Sequence, residues 1–214
     1  MEDQPIVILG GGGHAAVVWD CLKLLGRRVE GYVALEPQDT LRGLPWLGDD
    51  KQFCRSYTPS RVSLMNGIGM VRAGRARGDL FRKYEAMGYR FVNLIHPSAV
   101  ISAQARIQPD SGVQIMAGSI VQTDAMIGPN VLINTRAVIE HHAEIGSGVH
   151  IAPGSVICGG VRIGKDTLVG AGSTVIQGVR IGDEVTVGAG SVVLRDVPDR
   201  VTIMGVPAKE HRIW

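Results

Sequence analysis

Residues 137–164, AVIEHHAEIGSGVHIAPGSVICGGVRIG, carry isoleucine at every sixth position from Ile139 onward. Stepping by six from Ile115 to Val193 meets Val or Ile at fourteen consecutive positions. A small or slim residue follows each aliphatic after four places, and glycine often follows it directly, as at Gly146 and Gly164. Because a period of six fits neither an α-helix nor a coiled coil, this self-similarity predicts a parallel β-helix.

The residue types suit such a coil. β-Branched side chains favour short flat strands, and glycine or small polar residues allow the tight corners between them. Three hexapeptides would make one coil of a triangular prism, in which residues 18 apart stack at about 4.8 Å. Ile95, Ile101 and Ile107 extend the rhythm upstream, and the eight-residue step from Ile107 to Ile115 predicts a two-residue insertion. We expect about five and a half coils over residues 95–198.

The composition of the 214-residue chain changes near residue 95, which favours two domains. We therefore divide the chain into an α/β domain over residues 1–94, the β-helix over residues 95–198 and a tail over residues 199–214. Aromatic residues make up only 5% of the chain while glycine reaches 29 residues, so the β-helix interior must be filled by small aliphatic side chains. A net charge of +2 without a long basic run argues against capture of nucleic acid or anionic lipid.

The sequence also bears on location. No apolar run reaches the roughly 18 residues that a membrane span needs, and the start, MEDQPIVILG, lacks the pattern of a signal peptide. The three cysteines, Cys21, Cys54 and Cys158, are odd in number and scattered, as expected of reduced thiols. We therefore expect a cytoplasmic protein.

The N-terminal segment PIVILGGGGHAAVVWDCLKLLG predicts a strand over residues 5–9, a glycine turn over 10–13 and a helix over about 14–25. Gly10, Gly12 and Ala15 satisfy the pattern G-x-G-x-x-[GA], and a second strand follows. A helix N-terminus behind a glycine turn offers N–H donors and a positive dipole end, which suit a pyrophosphate. Fewer than 95 residues precede the repeat, enough for one mononucleotide-binding half, so a nucleotide or nucleotide-sugar is favoured over NAD. The alternative is a tight turn that binds nothing.

Three of the six histidines lie between residues 141 and 150, and the 18-residue coil places them in columns. One column contains Thr123, His141 and Gly159, so that His141 stacks on a residue without a side chain and has room for a ligand. The next column places His142 beside Asp124, a possible carboxylate partner. The alternative is two surface histidines on a solvated face.

His150 follows His141 by nine residues, half a coil, and so lies on the far side of the prism. Asn134, seven residues before His141, is also displaced around the coil. Residues on opposite sides of one prism meet only across the subunit boundary of a symmetric assembly. We therefore predict an active site between subunits of a homotrimer.

Five segments together carry a family resemblance: the glycine turn with His14, LIHPSAVIS (94–102), NTRAVIEHH (134–142), VHIAPG (149–154) and GVPAK (205–209). With them the chain resembles, over nearly its whole length, the hexapeptide-repeat nucleotide-sugar acetyltransferases of the bacillosamine and sialic-acid acetyltransferase type. The resemblance implies a half-Rossmann α/β domain followed by a left-handed parallel β-helix, assembled as a trimer. It implies acetyl-CoA as co-substrate, no metal, and N-acetylation of the 4-amino group of a nucleotide-linked sugar, GDP-perosamine favoured, in surface polysaccharide biosynthesis.

The resemblance also implies roles for residues at matching positions. His141 would be the general base, Gly159 would supply a backbone N–H to the thioester carbonyl, and Lys209 would lie near coenzyme A. The full set implied is catalytic His141, Asn134, His142 and Glu144; substrate-binding Gly12, Gly13, His14, Glu36 and Gly67; and cofactor-binding His150, Gly159, Ala189 and Lys209.

Two positions depart from the family pattern. Many relatives carry Asp or Glu where this chain has His142, which leaves Glu140, Glu144 and the Asp124–His142 pair as alternatives for orienting His141. Relatives that use UDP-sugars often carry two acids after the second strand, where this chain reads VALEP. Glu36 in that segment can accept the N–H edge of guanine, which favours GDP.

Other functions stay open at this point. They are O-acetylation of a sugar hydroxyl, N-acetylation of a UDP-linked 4-amino sugar, and a non-catalytic nucleotide-binding trimer. A zinc enzyme of the hexapeptide-repeat carbonic anhydrase type would need a ligand spacing that these histidines do not reproduce. An NAD-dependent dehydrogenase is the weakest alternative, and Cys158 as an acyl carrier is less favoured than a small residue that fills a repeat position.

Overall fold

The computed structural model describes residues 4–71 and 73–211, which divide into two compact units. The first unit contains residues 4–69, 79–94 and 110–112, and the second contains residues 70–71, 73–78, 95–109 and 113–211. No helix within the described ranges is both long and apolar enough to cross a membrane.

The first unit is an α/β fold around a three-stranded parallel sheet of order β2-β1-β3. Its elements in chain order are β1 (Ile6–Leu9), α1 (Gly13–Leu24), β2 (Val29–Val33), a 3₁₀ turn (Asp39–Leu41), α2 (Asp50–Ser56), β3 (Ser63–Asn66) and α3 (Ala76–Ala86). The first three residues of α3 are grouped with the second unit. The predicted strand, glycine turn and helix therefore form the start of a half-Rossmann fold.

The burial of apolar side chains explains why these segments form a central strand and packed helices. All four residues of β1 are buried, as expected of the central strand of a parallel sheet with both faces covered. Helix α1 starts directly after the glycine turn and buries an apolar stripe that includes Val18 and Leu22. Helix α2 is absent from the sequence prediction, although Asp49 and Gln52 form a capping box at its start and Phe53 anchors it in the core.

The second unit is a parallel β-helix with three faces, each built of two- or three-residue strands stacked 18 residues apart. Face 1 contains Leu94–Ile95, Gln114–Ile115, Leu132–Ile133, His150–Ile151, Leu168–Val169, Thr186–Val187 and Thr202–Met204, with Lys209–His211 added antiparallel. Face 2 contains Val100–Ile101, Ile120–Val121, Val138–Ile139, Val156–Ile157, Thr174–Val175 and Val192–Val193. Face 3 contains Arg106–Ile107, Met126–Ile127, Glu144–Ile145, Arg162–Ile163 and Arg180–Ile181.

The aliphatic residues that recur at every sixth position form the interior of this unit. The second residue of each regular strand points inward, and from Ile115 to Val193 every one of these aliphatics is buried in a single core. Slim corner residues such as Ala137, Ala143 and Val149 fill the remaining space and have no exposed surface. Small side chains therefore close the core without aromatics, as the composition indicates.

The coil changes length in two places. The step between the inward residues Ile107 and Ile115 is eight residues, as the sequence predicts. After Val193 the offset between neighbouring coils falls from 18 to 16 residues, because Ile181 bridges to Val197 and Val187 pairs with Ile203. Over residues 95–198 the three faces contain six, six and five strands, which agrees with the sequence estimate of about five and a half coils.

Candidate functional site

His141 lies on the corner between faces 2 and 3, with its ring against the backbone of the next coil. A Cβ atom placed on Gly159 would lie 2.5 Å from Cε1 and 2.7 Å from Nε2 of His141. The carbonyl of His141 accepts a hydrogen bond from the N–H of Gly160 at 2.9 Å, which fixes the 18-residue register. Within the described residues the N–H of Gly159 has no hydrogen-bond acceptor, so it is free to bind a ligand oxygen beside the His141 ring.

His142 is the nearest polar neighbour of His141. The two Nδ1 atoms are 3.1 Å apart and the rings are nearly perpendicular, at 83°. On its other side, Nε2 of His142 lies 4.0 Å from Oδ2 of Asp124, which also accepts a hydrogen bond from Oγ1 of Thr123 at 3.2 Å. The corner therefore carries a chain of polar groups that ends at a carboxylate.

Asn134 and His150 form a second polar pair, on face 1 and the corner that follows it. Nδ2 of Asn134 lies 3.2 Å from Nε2 of His150, and Oδ1 of Asn134 accepts a hydrogen bond from the N–H of Thr135 at 2.8 Å. His150 is only 5% exposed, while His141 is exposed. The pair is therefore more rigidly held than the histidine corner.

The three other residues of this unit to which the family resemblance assigns a role lie at three different places. Glu144 is on face 3 and forms an ion pair with Arg162, Oε1 to Nη2 at 3.1 Å, and within the described chain it has no hydrogen bond or ion pair with His141. Ala189 is exposed on the corner between faces 1 and 2, and Lys209 is in the antiparallel strand that pairs with Met204 on face 1. Two groups result: the histidine corner, and Asn134, His150, Ala189 and Lys209 on and beside face 1.

His150 and Lys209 are on face 1, which is opposite the corner between faces 2 and 3. Asn134 and Ala189 are on the corner between faces 1 and 2, across face 2 from His141. A single β-helix thus separates residues that the resemblance assigns to one site.

In the first unit, the glycine turn opens onto a cavity of about 460 Å³ at the carboxyl end of the sheet. Helix α1 has Gly12 as its N-cap without a side-chain capping bond, which leaves its first N–H groups directed outward. A Cβ atom on Gly12 or Gly13 would meet nothing within 4 Å, so open space lies in front of the helix. The geometry fits an anionic group such as a pyrophosphate.

Glu36 and Gln38 line the same cavity. Gln38 packs so closely on the turn that a Cβ atom on Gly11 would lie 2.4 Å from its Cγ, and Thr40 Oγ1 donates a hydrogen bond to the carbonyl of Gly11. The backbone N–H of Gln38 in turn donates to the hydroxyl of Tyr32 at 2.7 Å. Sequence patterns did not identify Gln38 and Thr40, since only the tertiary fold brings their segment to the turn.

Asp50 is a further cavity residue that the sequence did not identify. Its Oδ1 accepts a hydrogen bond from the hydroxyl of Tyr84 at 2.9 Å, and its Oδ2 is paired with Lys83. Burial, and then the hydrogen bond to Asp50, raise the pKa of Tyr84 above its ordinary value, so this hydroxyl stays a donor. Asp50 is thereby held as an acceptor at the rim of the cavity.

Gly67 and His14 complete the predicted substrate set. A Cβ atom on Gly67 would lie 2.7 Å from Cγ2 of Ile8 and 2.9 Å from Cβ of Ala15, and its N–H donates to the carbonyl of Leu9. Gly67 therefore allows β1, α1 and the third strand to approach closely. His14 is half-buried in the first turn of α1, with Cβ 3.4 Å from the position of a Cβ atom on Gly69.

Three family models match the chain. The PglD N-terminal domain matches residues 5–77, the bacterial transferase hexapeptide (six repeats) matches residues 124–159, and the hexapeptide repeat of succinyl-transferase matches residues 160–195. The PglD N-terminal domain thus precedes the repeat models along the chain, in the order of the α/β unit and the β-helix.

Solved structures are similar over nearly the whole chain. A perosamine N-acetyltransferase variant from Caulobacter crescentus, in complex with CoA and GDP-perosamine, is 40% identical with a TM-score of 0.88, covering 98% of this chain and 97% of that one. PerB from Caulobacter crescentus, with the same two ligands, is 41% identical with a TM-score of 0.87 and 97% coverage of both chains. The acetyltransferase domain of PglB from Neisseria gonorrhoeae FA1090, in complex with acetyl coenzyme A, is 31% identical with a TM-score of 0.90, covering 98% and 100%.

Proposed function

Because the chain belongs to the hexapeptide-repeat nucleotide-sugar acetyltransferases, we propose that it transfers an acetyl group from acetyl-CoA to the 4-amino group of a GDP-linked sugar, with GDP-perosamine the favoured acceptor. The chain is an acyltransferase that uses acetyl-CoA, and it acts on a nucleotide-linked amino sugar. The observation that carries the finer proposal is the position of the exposed His141 ring against the open backbone of Gly159.

In the proposed reaction the neutral sugar amine attacks the thioester carbonyl carbon of acetyl-CoA. A C–N bond forms, the proton lost by the nitrogen moves to Nε2 of His141, and the C–S bond then breaks with its electron pair on sulfur. The proton returns from His141 to the CoA thiolate, so that protons and electrons balance. An imidazole ring can take up a proton at one nitrogen and give it back, which suits both the uptake and the return of that proton.

The amide of Gly159 is the proposed donor to the developing oxyanion. Its N–H has no acceptor within the described chain and lies beside the base, so one ligand can contact both groups. A backbone donor aimed at the transition-state oxygen contributes roughly 3 kcal/mol.

We place the complete active site between protomers of a homotrimer. His141 and His142 come from one protomer, and Asn134, His150, Ala189 and Lys209 come from its neighbour, because one β-helix cannot bring these two groups together. Face 2 supports an assembly, since its outward positions are occupied mainly by apolar residues: Val100, Ile120, Val138, Val156 and Val192. Such a stripe suits a buried interface better than open water.

The glycine turn of the first unit would bind the pyrophosphate of the nucleotide-sugar, and Glu36 would accept from the guanine edge. Support comes from the open helix N-terminus and from the cavity that Glu36 lines. A role in surface polysaccharide biosynthesis and a cytoplasmic location stay predictions.

The test is acetylation of a panel of acceptors. The protein is incubated with acetyl-CoA and GDP- or UDP-linked sugars that carry a 4-amino or a 4-hydroxyl group, and products are read by mass spectrometry. We expect a gain of about 42 Da, the mass added by one acetyl group, with GDP-perosamine reacting fastest. Faster reaction of UDP-linked amines would overturn the nucleotide assignment, and tight nucleotide binding without consumption of acetyl-CoA would favour a non-catalytic module.

A further inference from the structure

We propose that Asp124 and His142 act as positioning residues that set the tautomer of His141, a proposal that rests on the proposed role of His141 as general base. The chain of contacts runs from the carboxylate of Asp124 through the imidazole of His142 to Nδ1 of His141. In this chain these contacts take the place of the acidic side chain that many relatives carry directly after the histidine that corresponds to His141.

The first step is a proton count. The Nδ1 atoms of His141 and His142 are 3.1 Å apart, a hydrogen-bond distance that accommodates one proton between them. If both rings carried a proton on Nδ1, the two N–H groups would repel each other. If neither ring did, the two lone pairs would repel each other. In the neutral pair, therefore, one histidine donates from Nδ1 and the other accepts there.

Asp124 decides which ring donates. Its Oδ2 lies 4.0 Å from Nε2 of His142, a separation at which a carboxylate attracts an N–H and repels a lone pair. His142 therefore carries its proton on Nε2 and presents a bare Nδ1, so His141 must be the donor at Nδ1. The remaining nitrogen of His141, Nε2, is then the basic one, and it is the nearer of the two nitrogens to a Cβ atom placed on Gly159, at 2.7 Å against 3.1 Å for Nδ1.

Other charges around Asp124 limit the strength of this effect without reversing it. Nη2 of Arg106 lies 4.0 Å from Oδ1 of Asp124, while Thr123 donates to Oδ2. Because Arg106 is on the side of Oδ1, Oδ2 is the oxygen that faces His142. The side chains of His142 and Asp124 are 65% and 41% exposed, so the attraction is screened by water in a single protomer.

The backbone aims the two positioning side chains. His142 has φ of 58° and Asp124 has φ of 56°, and both stand in the corner column that continues as Gly160 and Gly178. Left-handed backbone is uncommon for residues other than glycine, with Asn, Asp and His the most tolerant. Their identical backbone state, one coil apart, points both side chains out of the same corner, and the N–H of His142 donates to the carbonyl of Thr123 at 3.2 Å.

Histidine tautomers are read directly by long-range ¹H–¹⁵N correlation on protein labelled with [¹⁵N]histidine. We expect His141 to show the Nδ1–H form and His142 the Nε2–H form, with assignments from single His→Gln variants. In Asp124→Asn, His142 loses this preference and His141 becomes a mixture of tautomers. The Nε2–H form of His141 in the unaltered protein would overturn the proposal whatever the activity.

Kinetic variants separate positioning from structure. His142→Gly keeps the left-handed backbone and removes the acceptor, so we expect kcat to fall about tenfold to a hundredfold, part of the contribution of a general base, with little change in KM. His142→Asp restores an acceptor for Nδ1–H, so we expect it to recover most of the lost kcat. Equal kcat in the Gly and Asp variants, or equal recovery of melting temperature and kcat, would show that His142 only fills space.

Failure of the proposed function gives a different result. If His141→Ala retains nearly full turnover, His141 is not the base, although the tautomers in the unaltered protein would still follow Asp124. If His141→Ala is inactive and His142→Gly is fully active with an unchanged His141 tautomer, the base assignment stands and the positioning chain is overturned.

Discussion

The side-chain amide of Asn134, on the corner between faces 1 and 2, is in contact with the ring of His150 on face 1, Nδ2 to Nε2 at 3.2 Å. Because Oδ1 of Asn134 already accepts from the N–H of Thr135, its NH₂ group is turned to His150, and Nε2 of that ring is the acceptor. The neutral ring therefore carries its proton on Nδ1. The histidine corner and this pair are therefore both formed within a single chain.

Mixed trimers test whether these two groups meet. His141→Ala and Asn134→Ala proteins, each expected to be nearly inactive, are co-expressed so that protomers mix at random. A site between protomers is then complete wherever an intact corner faces an intact pair, which restores about a quarter of the wild-type activity.

The random mixture is compared with heterotrimers purified through two different tags, which have one complete site in three and therefore about a third of the wild-type activity. Co-expression of one variant with a tagged copy of itself is the control. Failure of the mixture to exceed the separate variants would place the whole site within one protomer. Full activity of Asn134→Ala alone would remove Asn134 from the site.

A side chain at position 159 should harm activity more than stability. In Gly159→Ala the new Cβ would overlap the ring of His141 at 2.5 Å, but that ring is exposed and can rotate away at small cost. We expect kcat to fall on the order of a hundredfold, the contribution of a correctly placed general base, while the melting temperature changes by only a few degrees.

Gln177→Ala, one coil further along the same column, is the matched control and should keep its activity. Normal turnover of Gly159→Ala would contradict the placement of the reacting atoms above Gly159.

Gly13→Ala should change stability and substrate binding in opposite directions. Alanine is the better helix former, by up to about 1 kcal/mol, and the new Cβ meets nothing within 4 Å. The same methyl group would project into the space before α1, so we expect KM for the nucleotide-sugar to rise severalfold and KM for acetyl-CoA to stay unchanged. Initial rates and thermal melting measure both effects.

Gly26→Ala, at a left-handed position with φ of 63° beyond the end of α1, is a useful contrast. It should lower the melting temperature and leave both KM values unchanged. An unchanged KM in Gly13→Ala would show that the nucleotide-sugar does not approach this helix end.

The ion pair between Glu184 and Arg75 should make stability depend on pH. Nη2 of Arg75 lies 2.8 Å from Oε1 of Glu184, and this hydrogen bond holds the pKa of Glu184 below its ordinary value of 4.5. Because the pKa of Glu184 is lower in the folded than in the unfolded chain, the ionised carboxylate stabilises the fold. This stabilisation is complete above pH 4.5 and is lost as the pH falls through the lowered pKa. We expect Glu184→Gln to melt below the unaltered protein at neutral pH, with the gap closing under acid conditions.

Thermal melts over a pH series measure this gap. Asp79→Asn, which removes an exposed i,i+3 pair with Arg82, is the control and should show a smaller gap. A gap for Glu184→Gln that stays constant through the acid range would show that charge at position 184 plays no part.

The local sequence pattern determined the β-helix, because every coil needs an inward aliphatic residue on each of its three faces. Inward residues such as Ile139, Ile145 and Ile151 recur after six positions, and stacking 18 residues apart places His141 on Gly159 by arithmetic. The glycine turn and its helix are equally local. Helix α2 is short and depends on the burial of Phe53 in the tertiary core, so the periodicity gave no sign of it.

The contacts that give the site its chemistry are of another kind. The approach of Gln38 to Gly11, the support of Asp50 by Tyr84, and the distance between the Nδ1 atoms of His141 and His142 depend on side-chain rotamers and on segments far apart in the chain. A repeating pattern specifies which residues share a corner, since backbone hydrogen bonds repeat from coil to coil. Which side chain of that corner turns toward which neighbour is decided only when the whole fold has packed, because that choice rests on small differences in space and charge.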